Sequence, residues 1–108
     1  MSSAAIADGL SKSIFQVIKP GLTSQVLTLN GSSVQSTSWG ATTTIVRLFA
    51  TEDMFISMGP NPTALANDPA SFFLPGGMVE YFAVRGTEKL AAINASKAGT
   101  LYVTEGNV

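Results

Sequence analysis

The sequence predicts an all-β fold, a single antiparallel β-sandwich or jelly-roll-like domain that follows an extended N-terminal arm. From Ile14 onward, short β-branched or aromatic runs alternate with turn residues at intervals of about ten residues. No stretch keeps a helical period for longer than about two turns. The chain has 108 residues, the size of one ordinary domain. We therefore assign residues 1–12 to the arm and residues 13–108 to the sandwich.

The first third of the chain contains three candidate strands. Ser13–Ile18 ends at Lys19-Pro20-Gly21, because proline cannot donate a hydrogen bond to a neighbouring strand. Gln25–Leu29 runs into Asn30-Gly31, a strong hairpin signal because a type I′ turn needs positive φ at both central residues. Ser32–Ser38 is then expected to return antiparallel to it, as a polar strand at the edge of a sheet.

The middle of the chain predicts two apolar strands joined by a hairpin turn. Thr42–Ala50 is the expected central strand, and its two faces are both largely apolar apart from Arg47. Met54–Met58 follows the turn formed by Thr51-Glu52-Asp53, and alternate side chains of it are expected to point inward. The predicted inward-facing set of the whole domain is Val46, Leu48, Met54, Ile56, Phe82, Val84, Ile93, Leu101 and Val103.

The stretch from Gly59 to Pro75 is the one long irregular segment and holds four of the five prolines. Such a loop is uncommon in a small domain unless it has a function, and proline lowers the entropy lost when it is held in one shape. Its Phe72 and Phe73 either close the core or contact a neighbouring molecule. Three further strands are expected at Met78–Val84, Leu90–Ile93 and Leu101–Thr104.

Composition excludes most catalytic classes. The chain has no histidine and no cysteine, so zinc sites of the usual kind, disulfides, cysteine nucleophiles and Ser-His triads are removed. Glu52 and Asp53 are adjacent in a turn, where successive side chains diverge, so they do not form an acid and base pair. Neither a calcium-loop nor a phosphate-loop spacing is present. We predict no enzyme, no cofactor, and no catalytic or metal-binding residue.

The charge pattern points to other proteins as partners. Six cations are scattered along a chain of net charge −1, which argues against nucleic-acid binding, and no apolar run approaches the roughly 18 residues of a membrane span. The charged fraction is 12%, about half of the usual roughly 25%, and a neutral surface favours association. Residues 1–10 lack the pattern of a secretory signal, so synthesis and assembly in a cytoplasm are expected.

The stretch Thr43–Glu105 contains six short motifs in a fixed order: Ile45-Val46-Arg47-Leu48, Gly59-Pro60-Asn61-Pro62-Thr63-Ala64, Phe73-Leu74-Pro75-Gly76, Glu80-Tyr81-Phe82, Lys89-Leu90-Ala91-Ala92-Ile93 and Ala98-Gly99-Thr100-Leu101-Tyr102-Val103-Thr104-Glu105. In these motifs the stretch resembles small virion structural proteins of tailed bacteriophages. Residues 1–38 lie outside the similar part.

The resemblance implies a compact β domain that decorates a particle. We expect a capsid decoration or cement protein on the head surface of the virion, bound across neighbouring major capsid protein subunits. It implies a homotrimer, since such proteins usually sit where three capsid subunits meet, with a dimer as the other arrangement. The alternatives are a tail or head-to-tail joint component and a carbohydrate-binding β module, for which Trp39, Tyr81 and Tyr102 are the available aromatic residues.

Three segments are expected to make the contacts: the arm, the proline-rich loop and the polar edge strand. An arm that orders on docking can wrap a neighbour, and a stiff loop presents side chains at low entropic cost. Trp39, beside Gly40, belongs either to the core or to an interface, and the core is slightly favoured. The predicted contact residues are Ser2, Ile6, Leu10, Val34, Trp39, Asn61, Phe72 and Phe73.

Overall fold

A computed structural model describes residues 24–107 as two four-stranded antiparallel sheets packed together, which confirms the predicted all-β sandwich. Sheet A has the order β1-β8-β3-β6 and sheet B has the order β2-β7-β4-β5. The strands are β1 (Ser24–Leu29), β2 (Val34–Gln35), β3 (Ile45–Ala50), β4 (Met54–Gly59), β5 (Phe72–Leu74), β6 (Val79–Ala83), β7 (Lys89–Asn94) and β8 (Gly99–Gly106).

The strands pair in a nested order. β1 pairs with β8, β2 with β7, β3 with β6 and β4 with β5. Two further ladders, β3 with β8 and β4 with β7, join these pairs into the two sheets. Of the strands that follow each other along the described chain, only β4 and β5 share a sheet. Most of the pairing is therefore between distant parts of the sequence.

Both predicted hairpins are wrong. The segments on either side of Asn30-Gly31 lie in different sheets, and so do the strands on either side of Thr51-Glu52-Asp53. Gly31 does adopt the positive φ that the signal implies, at 95°, and its N–H donates to Asn94 Oδ1 over 2.7 Å. A turn signal specifies a change of chain direction but not the lateral partner, and here the chain crosses from one sheet to the other.

The core lies between the sheets and contains most of the predicted inward-facing set. Six of the nine residues are buried, and Phe82 and Val84 are half-buried and packed against them. Ile93 is the error, because it pairs with Phe55 on the outer face of sheet B. The inward residues of β7 are Leu90 and Ala92, so in this strand the size of the apolar side chain did not indicate its direction.

A buried carboxylate fixes the chain that enters β3. Glu105 is only 1% exposed, and its Oε1 accepts hydrogen bonds from the Gly40 N–H (2.8 Å) and from the Thr43 hydroxyl (2.7 Å). These bonds offset the cost of burying a polar group. Trp39, next to Gly40, is 2% exposed in the core, the placement that the sequence slightly favoured.

The arm predicted at residues 1–12 and the strand predicted at Ser13–Ile18 lie outside the described residues. The predicted contact residues Ser2, Ile6 and Leu10 belong to that part of the chain.

Candidate interaction surfaces

The loop between β4 and β5 folds back over the outer face of sheet B. The Gln35 side-chain amide donates to Asn61 Oδ1 (2.9 Å) and to the Pro62 carbonyl (2.7 Å), and the Ala64 N–H donates to Ser33 Oγ (3.0 Å). Pro62 and Ala64 are buried, as is Ala91, the partner of Gln35 in the register. The first part of the loop therefore packs against its own domain.

The aromatic pair of the predicted loop belongs to a strand. β5 pairs with β4 through Phe72, Phe73 and Leu74, a strand that the sequence did not predict. Phe72 packs against the core, with its ring centroid 4.9 Å from that of Phe82. Phe73 points to the other face, where it is 51% exposed and meets Phe55 edge to face at 5.5 Å. One phenylalanine therefore closes the core and the other lies at the surface.

The same loop exposes a leucine side chain to solvent. Leu65 is 52% exposed, although its N–H donates to Ser71 Oγ (3.2 Å). Asp68 fixes the following turn, since its Oδ1 accepts from the Ala70 N–H (2.8 Å) and its carbonyl from the Ser71 N–H (2.9 Å). A loop held by its own hydrogen bonds thus presents an apolar side chain. We call Leu65, Phe73, Phe55 and Ile93 together the sheet B surface.

The outer face of sheet A carries a row of apolar side chains across all four strands. The register places Val26, Tyr102, Phe49 and Val79 side by side. Val26 is 59% exposed and Tyr102 is 45% exposed, and the Tyr102 and Phe49 ring centroids are 6.5 Å apart. Large apolar side chains on a solvent-facing sheet are a feature of contact sites when they are contiguous.

Beside this row lies a polar one, which consists of Ser24, Thr104, Arg47 and Tyr81. The apolar row and the first three residues of the polar row line an open groove of about 440 Å³. Arg47 is the only charged residue at the outward-facing positions of the four described strands of sheet A. The groove therefore has an apolar wall, a hydroxyl-bearing wall and one cation.

The remaining predicted contact residues are distributed over different environments. Val34 is half-buried and packs against the core, and Asn61 is exposed but accepts the hydrogen bond from Gln35. The sequence missed the groove on sheet A and Leu65. The alternation of Ile45, Arg47 and Phe49 along β3 was the available signal for the groove, but the apolar character of both faces predicts a central strand and not a solvent-facing surface.

Glu52 and Asp53 lie in the connection between β3 and β4, where Asp53 has a structural role. Glu52 and Asp53 line a small cavity of about 120 Å³ with Ser96 and Lys97. Asp53 Oδ1 accepts from the Gly76 N–H (2.8 Å), and its carbonyl accepts from the Ala95 N–H (3.0 Å).

No group of three potential metal ligands occurs in residues 24–107. Within the same range, no helix has the length and apolarity that crossing a membrane requires.

Comparisons of the chain with protein-family models, with curated proteins and with solved structures find no match.

Proposed function

We propose that this chain is a non-enzymatic virion structural protein, a capsid decoration or cement protein that stabilises a phage head by binding across neighbouring capsid subunits. The observation that carries the proposal is the sheet B surface, where an ordered loop and a sheet face present apolar side chains to solvent. Leu65 and Phe73 are each about half exposed. A contact element that is already ordered loses little entropy on binding.

The strand order supports the same proposal. Eight strands paired in nested order fit the jelly-roll part of the predicted fold, and jelly rolls build viral capsid and lectin domains. The stretch that resembles phage virion proteins, Thr43–Glu105, spans most of β3–β8. The phage resemblance favours the virion, and the sheet B surface supplies an apolar contact with the major capsid protein.

Sister copies are the second proposed partner, in a homotrimer on the head surface. A low-charge surface favours association, and three copies fit a position where three capsid subunits meet. Sedimentation equilibrium at several concentrations measures how many chains the assembly contains. The expected mass is three times the 11.2 kDa of one chain. A monomer at all concentrations that also fails to bind capsids contradicts the proposal.

The direct binding test uses the full-length chain and expanded capsids assembled from the major capsid protein of the same genome. The chain should cosediment with the capsids, and Leu65→Asp and Phe73→Asp should each weaken binding by about 30-fold, as loss of a central apolar contact does. Because the contact is apolar, binding of the wild-type chain should change little with salt.

Val26→Asp is the matched control, since it places the same charge on a similarly exposed side chain of the other sheet. It should leave capsid binding unchanged. The proposal fails if the wild-type chain does not bind capsids, or if Val26→Asp abolishes binding while Leu65→Asp and Phe73→Asp do not.

A further inference from the structure

The groove on the outer face of sheet A has two walls of different chemistry. The apolar wall is built by Val26, Tyr102, Phe49 and Val79, and the polar wall by Ser24, Thr104 and Arg47. The volume of about 440 Å³ lies within the range of about 300–1,000 Å³ of small-molecule sites. The groove is thus suited to a ligand with one apolar face and several polar groups.

Arg47 gives the groove its charge preference. It is half-buried on β3, and the register surrounds it on this face with uncharged residues, Thr104 and Tyr81 across the strands and Phe49 along its own strand. A guanidinium keeps its charge at any ordinary pH and binds a carboxylate through two parallel hydrogen bonds. One cation in a neutral groove fits a ligand with one carboxylate.

Tyr102 gives the groove a flat platform. Its ring is nearly half exposed and lies beside Phe49, with the two ring centroids 6.5 Å apart. An aromatic ring held on a sheet offers an apolar surface to the C–H face of a sugar ring. The hydroxyls of Ser24 and Thr104 both donate and accept hydrogen bonds, which matches the hydroxyls of a saccharide.

We propose that this groove binds an acidic saccharide, with the sugar ring on Tyr102, the carboxylate on Arg47 and sugar hydroxyls on Ser24 and Thr104. The inference goes beyond the capsid-binding proposal and uses the opposite face of the sandwich. A particle that carries this chain would then present a saccharide site on the face away from the capsid.

Other occupants fit the groove less well. The apolar segment Ser13–Ile18 of the chain itself has no carboxylate and is flanked by Lys12 and Lys19. A second copy packed groove to groove brings two Arg47 side chains into one apolar contact, where like charges are unfavourable. A single cation is too little for nucleic acid, whose affinity depends on several phosphate contacts.

The test is an NMR titration of the full-length, ¹⁵N-labelled chain with 3′-sialyllactose and with galacturonate, each of which carries one carboxylate. Their methyl esters, which are uncharged and otherwise identical, serve as matched probes. At least one acidic probe should shift the amide signals of Arg47, Phe49, Tyr102 and Thr104 and bind about tenfold or more tightly than its counterpart.

Two variants measure what each wall of the groove contributes to binding, and a third serves as the control. Arg47→Gln should weaken binding of the acidic probe by roughly 10- to 100-fold and remove the preference over the uncharged probe. Tyr102→Ala should weaken both probes alike. Arg85→Gln, which removes an exposed arginine outside the groove, should change neither.

Three outcomes overturn the inference. They are an absence of groove shifts with both acidic probes up to about 10 mM, equal binding of acidic and uncharged probes, and shifts centred on Phe55 and Phe73. Each is read on the wild-type chain, so the result does not depend on a variant that folds poorly.

Discussion

The two outer faces of the sandwich share one core but differ in what covers them. Sheet B is crossed by the loop between β4 and β5, which is bonded to Gln35 and buries Ala91. On sheet A, Val26, Tyr102 and Val79 remain exposed and border a groove. One long connection therefore determines which face carries an ordered contact loop and which face stays open, and we assign a different partner to each.

A substitution in the core between the two sheets should have the largest effect on the free energy of unfolding. Leu48 is fully buried on β3 between the sheets, so Leu48→Ala should lower the free energy of unfolding by roughly 2–5 kcal/mol. Urea denaturation measures this, with Thr28→Ala on the exposed face of β1 as a control that should stay within about 0.5 kcal/mol. A loss below 1 kcal/mol for Leu48→Ala would mean that the sheets do not pack as described.

The next largest effect should come from the buried carboxylate under sheet A. Glu105→Ala leaves the buried Thr43 hydroxyl and the Gly40 N–H without their acceptor, and one buried group of this kind costs about 1–3 kcal/mol. We expect a loss of about 1–3 kcal/mol in the free energy of unfolding. Glu88→Ala, which removes a carboxylate from a surface turn, is the control. Equal effects of the two substitutions would contradict the role of Glu105.

Weakening the attachment of the loop should leave the outer face of sheet B more open, as the outer face of sheet A is. Gln35→Ala removes two hydrogen bonds between β2 and the loop, each worth about 1 kcal/mol or less at an exposed position. Hydrogen exchange should then speed up at the Ala64 and Leu65 amides and stay unchanged along β3. Uniform acceleration over the whole domain would show instead that the loop is part of the global fold.

The sequence predicts where the strands lie and which of their residues are buried better than it predicts which strands pair with each other. The predicted inward-facing residues of Thr42–Ala50 and Met54–Met58 include Val46, Leu48, Met54 and Ile56, which are buried in β3 and β4, because successive side chains of a strand point to opposite faces. The sequence did not predict that these strands belong to different sheets, since a local turn contains no information on the lateral partner. Strand β5 was missed because three residues after a proline-rich loop give no period.

The candidate surfaces were predictable only in part. Phe73 was recognised as a candidate contact residue because two adjacent phenylalanines followed a long loop, but which of the two points outward depends on the pairing of β5 with β4. The groove needs four strands from distant parts of the chain in register, with Val26, Tyr102, Phe49 and Val79 in one row. No single segment of the sequence contains that information.

A cryo-electron microscopy map of the particle would show the location, symmetry and orientation of the chain together. We expect three copies where three capsid subunits meet, with Leu65 and Phe73 against the capsid and the groove beside Tyr102 facing solvent. Density for this chain only at the tail or the head-to-tail joint, or a head-bound copy whose sheet A face lies against the capsid, would contradict this arrangement.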